Sequence, residues 1–472
     1  MNSLKSLKSQ FEGKRIHILG VAGTLMGAFA AYLKKQGIAV TGSDQNIYPP
    51  MSGVLAAAGV EVYAGYKAEN LDAARPDLVI VGNVISRGNP EMVEVVRRGL
   101  KFLSLPAAFE TMILPQKHSL VVAGTHGKTT TVAMMAHILE TLGEKPSFFI
   151  GGVPQDFAES FRVTDSRYMV LEGDEYDTAY FDKVPKFVHY RPRDAILTSV
   201  EFDHADIYTD IHAVTAAFEK LAALVPPEGH MIVCGESELA LRVAHGSRAT
   251  VVSYGFTVAC DARGEKLVLD ATGARFQFDG VDVRLPLGGR HNALNALSCL
   301  ALCRALELDV EKAALALSRF KGIKRRQEVY GEARGITIID DFAHHPTAVR
   351  ETLAAVKSKY PGRRLVACFE PRSATSRRKI FQQDYAVAFD VADEVLIAKP
   401  YDQSSIDPAQ QFSTEELLAD IKARRKEARV LATDENSVKA LSRTLKNGDV
   451  VLVMTNGGFD GFHGKLLAAL KA

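Results

Sequence analysis

Short apolar runs recur along the chain. Each ends on glycine or on a cluster of polar residues. Most lead into a stretch whose apolar positions fall three and four apart, the spacing of a half-buried helix. Arg15 to Leu19 reads as a strand, followed by a glycine-rich turn from Gly20 to Gly27 and a helix to about Lys35. A second strand, Ile38 to Gly42, ends on Ser43-Asp44, and a further one spans Asp77 to Val81 before a helix from Glu91 to Arg98. Ser119 to Ala123 is a buried strand. After a tight loop, Val132 to Leu142 resumes helical spacing. Strands at Phe148 to Ile150, Tyr168 to Leu171, Ala195 to Val200 and Met231 to Cys234 continue the alternation, with an amphipathic helix over 212–224. From 247 to 286 the period shortens. Four β runs between Gly and Asp turns predict a small antiparallel patch, and a long helix follows to about Leu306. After the basic link Phe320 to Arg326, strands are predicted at Ile336 to Ile339, Leu365 to Phe369, Glu394 to Ile397, Ala428 to Leu431 and Val450 to Met454. The pattern is that of an α/β protein with doubly wound parallel sheets. A chain of 472 residues exceeds one core, and the breaks divide it into 1–114, 115–322 and 323–472.

The loop after Ala123 carries the most specific chemistry. Gly124-Thr125-His126-Gly127-Lys128-Thr129-Thr130 joins a strand to a helix, as a phosphate-binding loop does. In that reading Lys128 reaches the β/γ-phosphates and the Thr129 hydroxyl sits on Mg²⁺. The usual first glycine is replaced by Val122, so Gly124 is the nearest earlier glycine. Glu172 to Asp177 places four carboxylates in six residues at a strand end, either a Mg²⁺ locus or a solvated acidic loop. Asp203-His204 follows another core strand, at the sheet edge where α/β proteins bind ligands. Asn292 and Asn295 share one face of a helix's first turn, where they either cap the helix or read an adenine. The glycines of the first turn fall as GxxGxxxG, which suits a nucleotide or a sugar nucleotide held through its diphosphate as well as it suits a dinucleotide. Asp44 is placed either for ribose hydroxyls or as a turn residue.

Composition narrows the partners. A net charge of +1 implies neither nucleic acid nor an anionic membrane. No apolar run is long enough to span a bilayer, and the stretch from Met1 to Lys8 lacks the apolar core of a secretion signal. Five scattered cysteines, an odd number without a CxxC pair, read as reduced thiols of a cytoplasmic protein. Cys299 and Cys303 read as core packing.

The phosphate loop, Glu172 to Asp177, Asp203-His204, His291-Asn292 with Asn295, Arg325-Arg326 and Asp340 to Pro346 occur here in one order. That order resembles the Mur ligase family, the ATP-dependent ligases of peptidoglycan precursor synthesis. The resemblance implies three domains: a Rossmann-like UDP-binding domain, a central P-loop ATPase-type domain carrying the antiparallel patch, and a C-terminal Rossmann-like domain that closes over the site. Asn46 to Ser52, Gly82-Asn83 with Arg87 to Pro90, Glu201 to Tyr208, Glu370 to Ser373 and Asn456 to Phe459 resemble the branch of cell-wall recycling. That branch joins L-Ala-γ-D-Glu-meso-diaminopimelate to UDP-N-acetylmuramic acid. The glycine-rich start, Gly42 to Asp44, and Asp340 to Pro346 resemble the branch that adds free L-alanine, which is the alternative.

The resemblance also implies roles. Lys128, Glu172, His204 and Arg326 carry the phosphoryl chemistry, with Thr129 and Glu172 on one Mg²⁺ and His204 on a second. Gly124 to Thr130 hold the ATP phosphates, Asn292 and Asn295 the adenine, Arg326 a phosphate and Asp341 the ribose. Gly20, Gly23, Gly27, Ser43, Asp44 and Asn83 line the UDP-sugar site. His344, Arg372 and Asn456 meet the substrate, the last two the peptide. Lys220 is either the carbamylated lysine of several members or a solvated helix residue. A monomer or weak homo-oligomer without membrane insertion is expected. Two other readings are weaker. An oxidoreductase using the first βαβ unit leaves the Gly-Lys-Thr loop unexplained, and a regulatory nucleotide binder would release no ADP in response to substrate.

Overall fold

A computed structural model describes residues 11–49 and 51–472. The stretch read for a secretion signal and Pro50 of the Asn46 to Ser52 motif lie outside the described residues. The chain forms two compact units. The first comprises the described residues up to Gly151 with Phe157–Val200 and Val214–Ser253; the second comprises Gly152–Asp156, Glu201–Ala213 and Tyr254–Ala472.

The first unit contains a parallel sheet and a second, mostly parallel one whose edge strand is antiparallel. In the N-terminal one, β1 (Arg15–Leu19), β2 (Ala39–Asp44), β3 (Glu61–Ala64), β4 (Leu78–Val81) and β5 (Phe102–Ser104) stand in the order β3-β2-β1-β4-β5, all parallel. Helix α1 (Thr24–Lys35) crosses between β1 and β2. Helix α2 (Pro90–Arg97) starts where Asn89 accepts from the Glu91 and Met92 amides and Pro90 takes the first helical position, two independent start signals. The second sheet has β6 (His118–Ala123) near its centre. The other strands are β7 (Ser147–Phe149), β8 (Phe161–Arg162), β9 (Tyr168–Gly173), β10 (Asp194–Leu197), β11 (His230–Cys234) and β12 (Thr250–Gly255). Their order is β12-β11-β10-β6-β9-β7-β8. β6 is flanked by parallel neighbours on both sides and its residues 119–123 are buried, which fits its unbroken apolar run from Leu120 to Ala123. Helix α3 (Lys128–Thr141) leaves the loop at its end.

The second unit contains the antiparallel patch β13 (Ala262–Asp270), β14 (Gly273–Phe278) and β15 (Val281–Leu285), and the long helix α4 (Arg290–Ala305). Its six-stranded sheet runs β16 (Glu328–Ala333), β17 (Ile336–Asp341), β21 (Val450–Met454), β18 (Leu365–Phe369), β19 (Glu394–Ala398) and β20 (Glu427–Leu431). Alternation on these strands feeds two cores. Ala367, Phe369, Val395 and Leu452 pack on one face; Val366, Cys368, Leu396 and Val451 pack on the other. Helix α5 (Pro346–Lys359) follows β17. β16 is an antiparallel edge strand that the hydrophobic pattern missed, because Glu328-Val329-Tyr330-Gly331-Glu332-Ala333 has no fully buried position.

All five cysteines are buried and unbridged, and Cys299 and Cys303 lie in the core on α4. No helix of the described residues is long and apolar enough to cross a membrane.

Candidate active site

In the first unit the phosphate-type loop is built by close backbone approach. Gly124 has φ +128°, and a Cβ there would lie 2.2 Å from Thr198 Oγ1 and 2.8 Å from the Ser199 nitrogen, so only glycine fits. The end of β10 clamps the loop. The Thr125 amide donates to the Ser199 carbonyl at 3.0 Å, and the His126 amide donates to Ser199 Oγ at 3.1 Å. Thr198 Oγ1 lies 2.5 Å from the His126 carbonyl and 3.2 Å from that of Ala123. Gly127, at φ +82°, is the residue before α3, and no side chain caps that helix. The helix start therefore presents backbone N–H groups, the usual anion-binding arrangement. Thr198 and Ser199 were missed in the sequence, where an ordinary Thr-Ser pair after a strand gives no signal.

Lys128 Nζ donates to the Gly124 carbonyl and to Glu175 Oε2, each at 2.7 Å. Burial opposes its charge, but the carboxylates of Glu175, Asp174 and Glu172 outweigh that and hold the ammonium above lysine's ordinary range. Thr129 and Thr130 are buried on the first turn of α3. Thr129 Oγ1 donates to Glu172 Oε1 at 2.9 Å, and the Gly151 amide donates to Glu172 Oε2 at 2.7 Å. Burial, with Asp174 nearby, raises the Glu172 carboxyl against the opposing pull of Lys128. A hydroxyl and a carboxylate, both hard oxygen donors held 2.9 Å apart, fit Mg²⁺. Glu175 belongs to the acidic run singled out in the sequence, but its role as the partner of Lys128 emerges only from the fold.

The same unit carries the glycine-rich turn. Gly20 has φ +81°, and its amide and that of Val21 donate to the Ser43 carbonyl at 2.9 and 3.1 Å. Gly23 is exposed at the start of α1 with no side-chain cap. A Cβ on Gly27 would lie 2.2 Å from Met51 Sδ. Asp44 accepts from the Ala22 amide at 2.9 Å and from the Asn46 amide at 3.0 Å, so its carboxylate already organises the turn. The Ser43 hydroxyl is buried with no hydrogen-bond partner among the described residues. Asn83 is exposed on the turn after β4. Lys220 is exposed on its helix, as a solvated lysine is.

The second unit gathers the remaining residues. Asn292 and Asn295 are buried on the first turns of α4; Asn292 Nδ2 donates to the Gly288 carbonyl at 2.8 Å. The residue capping position is Gly289, so neither asparagine is the N-cap. Arg325 is occupied with structure. It reaches Asp340 at 3.2 Å and the Thr455 and Gly457 carbonyls at 2.7 and 2.8 Å. The Arg326 guanidinium instead lies over Phe342, 5.0 Å from the ring centroid, and its amide donates to the Ile323 carbonyl at 3.2 Å. Asp341 is buried and accepts from the Gln327 and Ala343 amides, both at 2.8 Å. Burial raises its carboxyl, and Arg326 pulls the other way. Its geometry thus fixes the turns around β17 directly.

His204 sits in the left-handed region at φ +57°, between Asp203 and Ala205. Asp203 is buried. Burial opposes its charge, yet the imidazoles of His344, His204 and His345 hold its carboxyl well below the usual range. His344 Nε2 lies 3.6 Å from Asp203 Oδ2. His345 caps α5, accepting from the Thr347 amide at 3.3 Å. The Arg372 guanidinium sits over Tyr401, 3.6 Å from the ring centroid, and donates to Glu370 Oε1 at 3.3 Å. A Cβ on Gly457 would lie 2.0 Å from Arg372 Nε, so the fold brings Arg372 and the Asn456 loop together. Asn456 Oδ1 is buried without a hydrogen-bond partner among the described residues. Tyr401 gave no signal in the sequence.

Three family profiles match consecutive parts of the chain: "Mur ligase family, catalytic domain" over 15–116, "Mur ligase middle domain" over 122–303 and "Mur ligase, glutamate ligase domain" over 325–457. The chain is 41% identical to the UDP-N-acetylmuramate–L-alanyl-γ-D-glutamyl-meso-2,6-diaminoheptandioate ligase of Escherichia coli, over 97% of this chain and 98% of that one. A solved murein peptide ligase from Psychrobacter arcticus matches with a TM-score of 0.70 and 36% identity, covering 97% of this chain and 99% of its own. A solved UDP-N-acetylmuramate–alanine ligase from Thermotoga maritima superposes with a higher TM-score, 0.76, but at 25% identity, covering 96% and 98%.

Proposed function

The chain belongs to the Mur ligase family of ATP-dependent ligases, and we propose that it joins L-Ala-γ-D-Glu-meso-diaminopimelate to UDP-N-acetylmuramic acid in peptidoglycan recycling. The observation that carries this reading is the 41% identity, end to end, with the tripeptide-adding ligase of Escherichia coli. The closer superposition on the alanine-adding enzyme reflects a shared architecture and says little about the acceptor, since one fold hosts both activities.

A carboxylate is a poor electrophile because both oxygens share its charge. In the proposed reaction a lactyl carboxylate oxygen of UDP-N-acetylmuramic acid attacks the ATP γ-phosphorus, and the β–γ bridging bond breaks to release ADP. The L-alanyl amine of the tripeptide attacks the resulting acyl phosphate, loses a proton and expels inorganic phosphate. The balance is one ATP consumed, with one ADP and one phosphate released, per amide formed. The protein positions the groups and neutralises charge.

The first segment, 1–114, is assigned to UDP-sugar binding through Gly20, Gly23, Gly27, Ser43, Asp44 and Asn83. The segment 115–322 is assigned to ATP. There Gly124 to Thr130 cradle phosphates, Lys128 neutralises charge developing between the β- and γ-phosphates, and Asn292 and Asn295 hold the adenine. The segment 323–472 adds Arg326 for a phosphate, Asp341 for the ribose, and His344, Arg372 and Asn456 for the acceptor. A guanidinium suits a peptide carboxylate because it offers two parallel N–H donors. Thr129 and Glu172 would hold one Mg²⁺ and His204 a second; bound there, Mg²⁺ supplies charge neutralisation for phosphoryl transfer. The test is mass-spectrometric detection of UDP-N-acetylmuramoyl-tripeptide with one phosphate released per product. ATP hydrolysis without that product refutes the assignment.

A further inference from the structure

His204 adopts a left-handed backbone conformation that a residue with a Cβ rarely takes and that persists only where its surroundings impose it. The surroundings that impose it include one hydroxyl from a distant part of the chain. Thr375 Oγ1 donates to Asp203 Oδ1 at 2.6 Å, and the same oxygen accepts the Ala205 amide at 3.2 Å. The hydroxyl therefore grips the residue before His204 by its side chain and the residue after it by its backbone. A threonine hydroxyl has one proton to give and lone pairs to receive, so both bonds form together. Asp203 Oδ1 also accepts the His204 amide at 2.7 Å, which closes the arrangement around the strained residue. Asp203 and Thr375 are 4% and 3% exposed, so water does not compete at either one. The Ile207 and Tyr208 amides then turn back onto the His204 carbonyl at 2.9 and 3.0 Å.

We propose that Thr375 is a positioning residue for His204, setting the conformation in which His204 acts in the ligase reaction. This inference rests on the assignment of His204 to the site. It adds to that assignment the reason why the loop of Glu370, Arg372 and Ser373 also carries a buried threonine: the loop that faces the acceptor orders the segment that bears His204.

The test uses the full-length protein with Thr375→Val, which removes the hydroxyl at nearly constant volume, Thr375→Ser, which keeps it, and His204→Gln. Two quantities are read: steady-state kinetics, and hydrogen exchange of the Ala205, Ile207 and Tyr208 amides in the ligand-free protein. Thr375→Val is expected to lower kcat about ten- to a hundredfold, the usual effect of losing a group that orients a site residue, with KM for ATP nearly unchanged. The three amides should exchange about tenfold faster or more, while strand β21 keeps its protection, and Thr375→Ser should restore both readouts. Thr375→Val with unchanged kcat and unchanged local exchange overturns the proposal while His204→Gln is inactive. So does faster exchange that spreads through β21 and is not rescued by serine, because that is a purely structural defect. Wild-type turnover by His204→Gln instead overturns the site assignment itself, and this inference with it.

Discussion

Lys128→Met removes the ammonium that the structure pairs with Glu175. The pair is 2.7 Å apart, with Glu175 2% exposed and Glu172 and Asp174 close enough to act on the same ammonium. Deleting one partner of such a buried pair leaves an uncompensated charge, at a cost of about 3–5 kcal/mol. The pH dependence has a definite sign. In the wild type, burial already raises Glu172, and Lys128 opposes that rise. Without the lysine the carboxyl moves further up. An acid whose pKa is higher folded than unfolded stabilises the fold below its unfolded value and ceases to do so as pH climbs through the folded value. The deficit of Lys128→Met should therefore be small near pH 5 and grow toward pH 8, by about 1.4 kcal/mol per pH unit for each carboxyl caught in that window. Lys128 itself contributes no slope there, because its pKa is raised and its stabilisation is lost only above lysine's ordinary range. Urea denaturation of both proteins at several pH values measures the difference. Phosphate release should fall about a hundred- to a thousandfold at saturating substrates, as for loss of a preorganised charge-stabilising group. A deficit below about 1 kcal/mol that stays flat between pH 5 and 8 would refute the buried-pair argument, since an exposed pair behaves that way.

Gly124→Ala forces a Cβ to within 2.2 Å of Thr198 Oγ1 at a φ of +128°. It should destabilise the protein by about 2–5 kcal/mol in urea denaturation, from strain and overpacking together, and abolish ATP binding in calorimetry. Arg372→Ala should raise KM for the tripeptide about ten- to a hundredfold, the worth of a charged hydrogen bond, and leave KM for ATP near its wild-type value. Lys220 is exposed, so Lys220→Ala should change stability by less than about 0.5 kcal/mol and leave kcat independent of added bicarbonate; a bicarbonate-sensitive wild type that loses its activity on this substitution would restore the carbamylated reading.

The parts of the candidate site that lie within one short stretch could be singled out from the sequence. Gly124 to Thr130 declared themselves because strand, turn chemistry and helix follow within a dozen residues. Asn292 with Asn295, and Arg372 with Glu370, were visible as types and spacings. Their partners were not. Thr198 and Ser199 clamp the phosphate-type loop from more than seventy residues away, and Thr375 lies 172 positions from Asp203. Neither contact leaves a local trace. Asp341 takes its expected ribose role from the family resemblance, but the two backbone amides that it accepts show a second task that charge alone cannot announce. The central strands were readable because burial on both faces demands apolar runs. β3, β5 and β16 were not, since short or edge strands carry exposed and intermediate positions that blur the period of two.

The acceptor is the central claim, and competition decides it most directly. With ATP, Mg²⁺ and UDP-N-acetylmuramic acid fixed, kcat/KM is measured from phosphate release for L-Ala-γ-D-Glu-meso-diaminopimelate and for L-alanine. The account predicts turnover with the tripeptide and a kcat/KM for L-alanine lower by at least the ten- to hundredfold that a charged contact such as that of Arg372 is worth. Equal or faster use of free L-alanine would contradict it and place the enzyme at the first peptide-adding step of cell-wall synthesis.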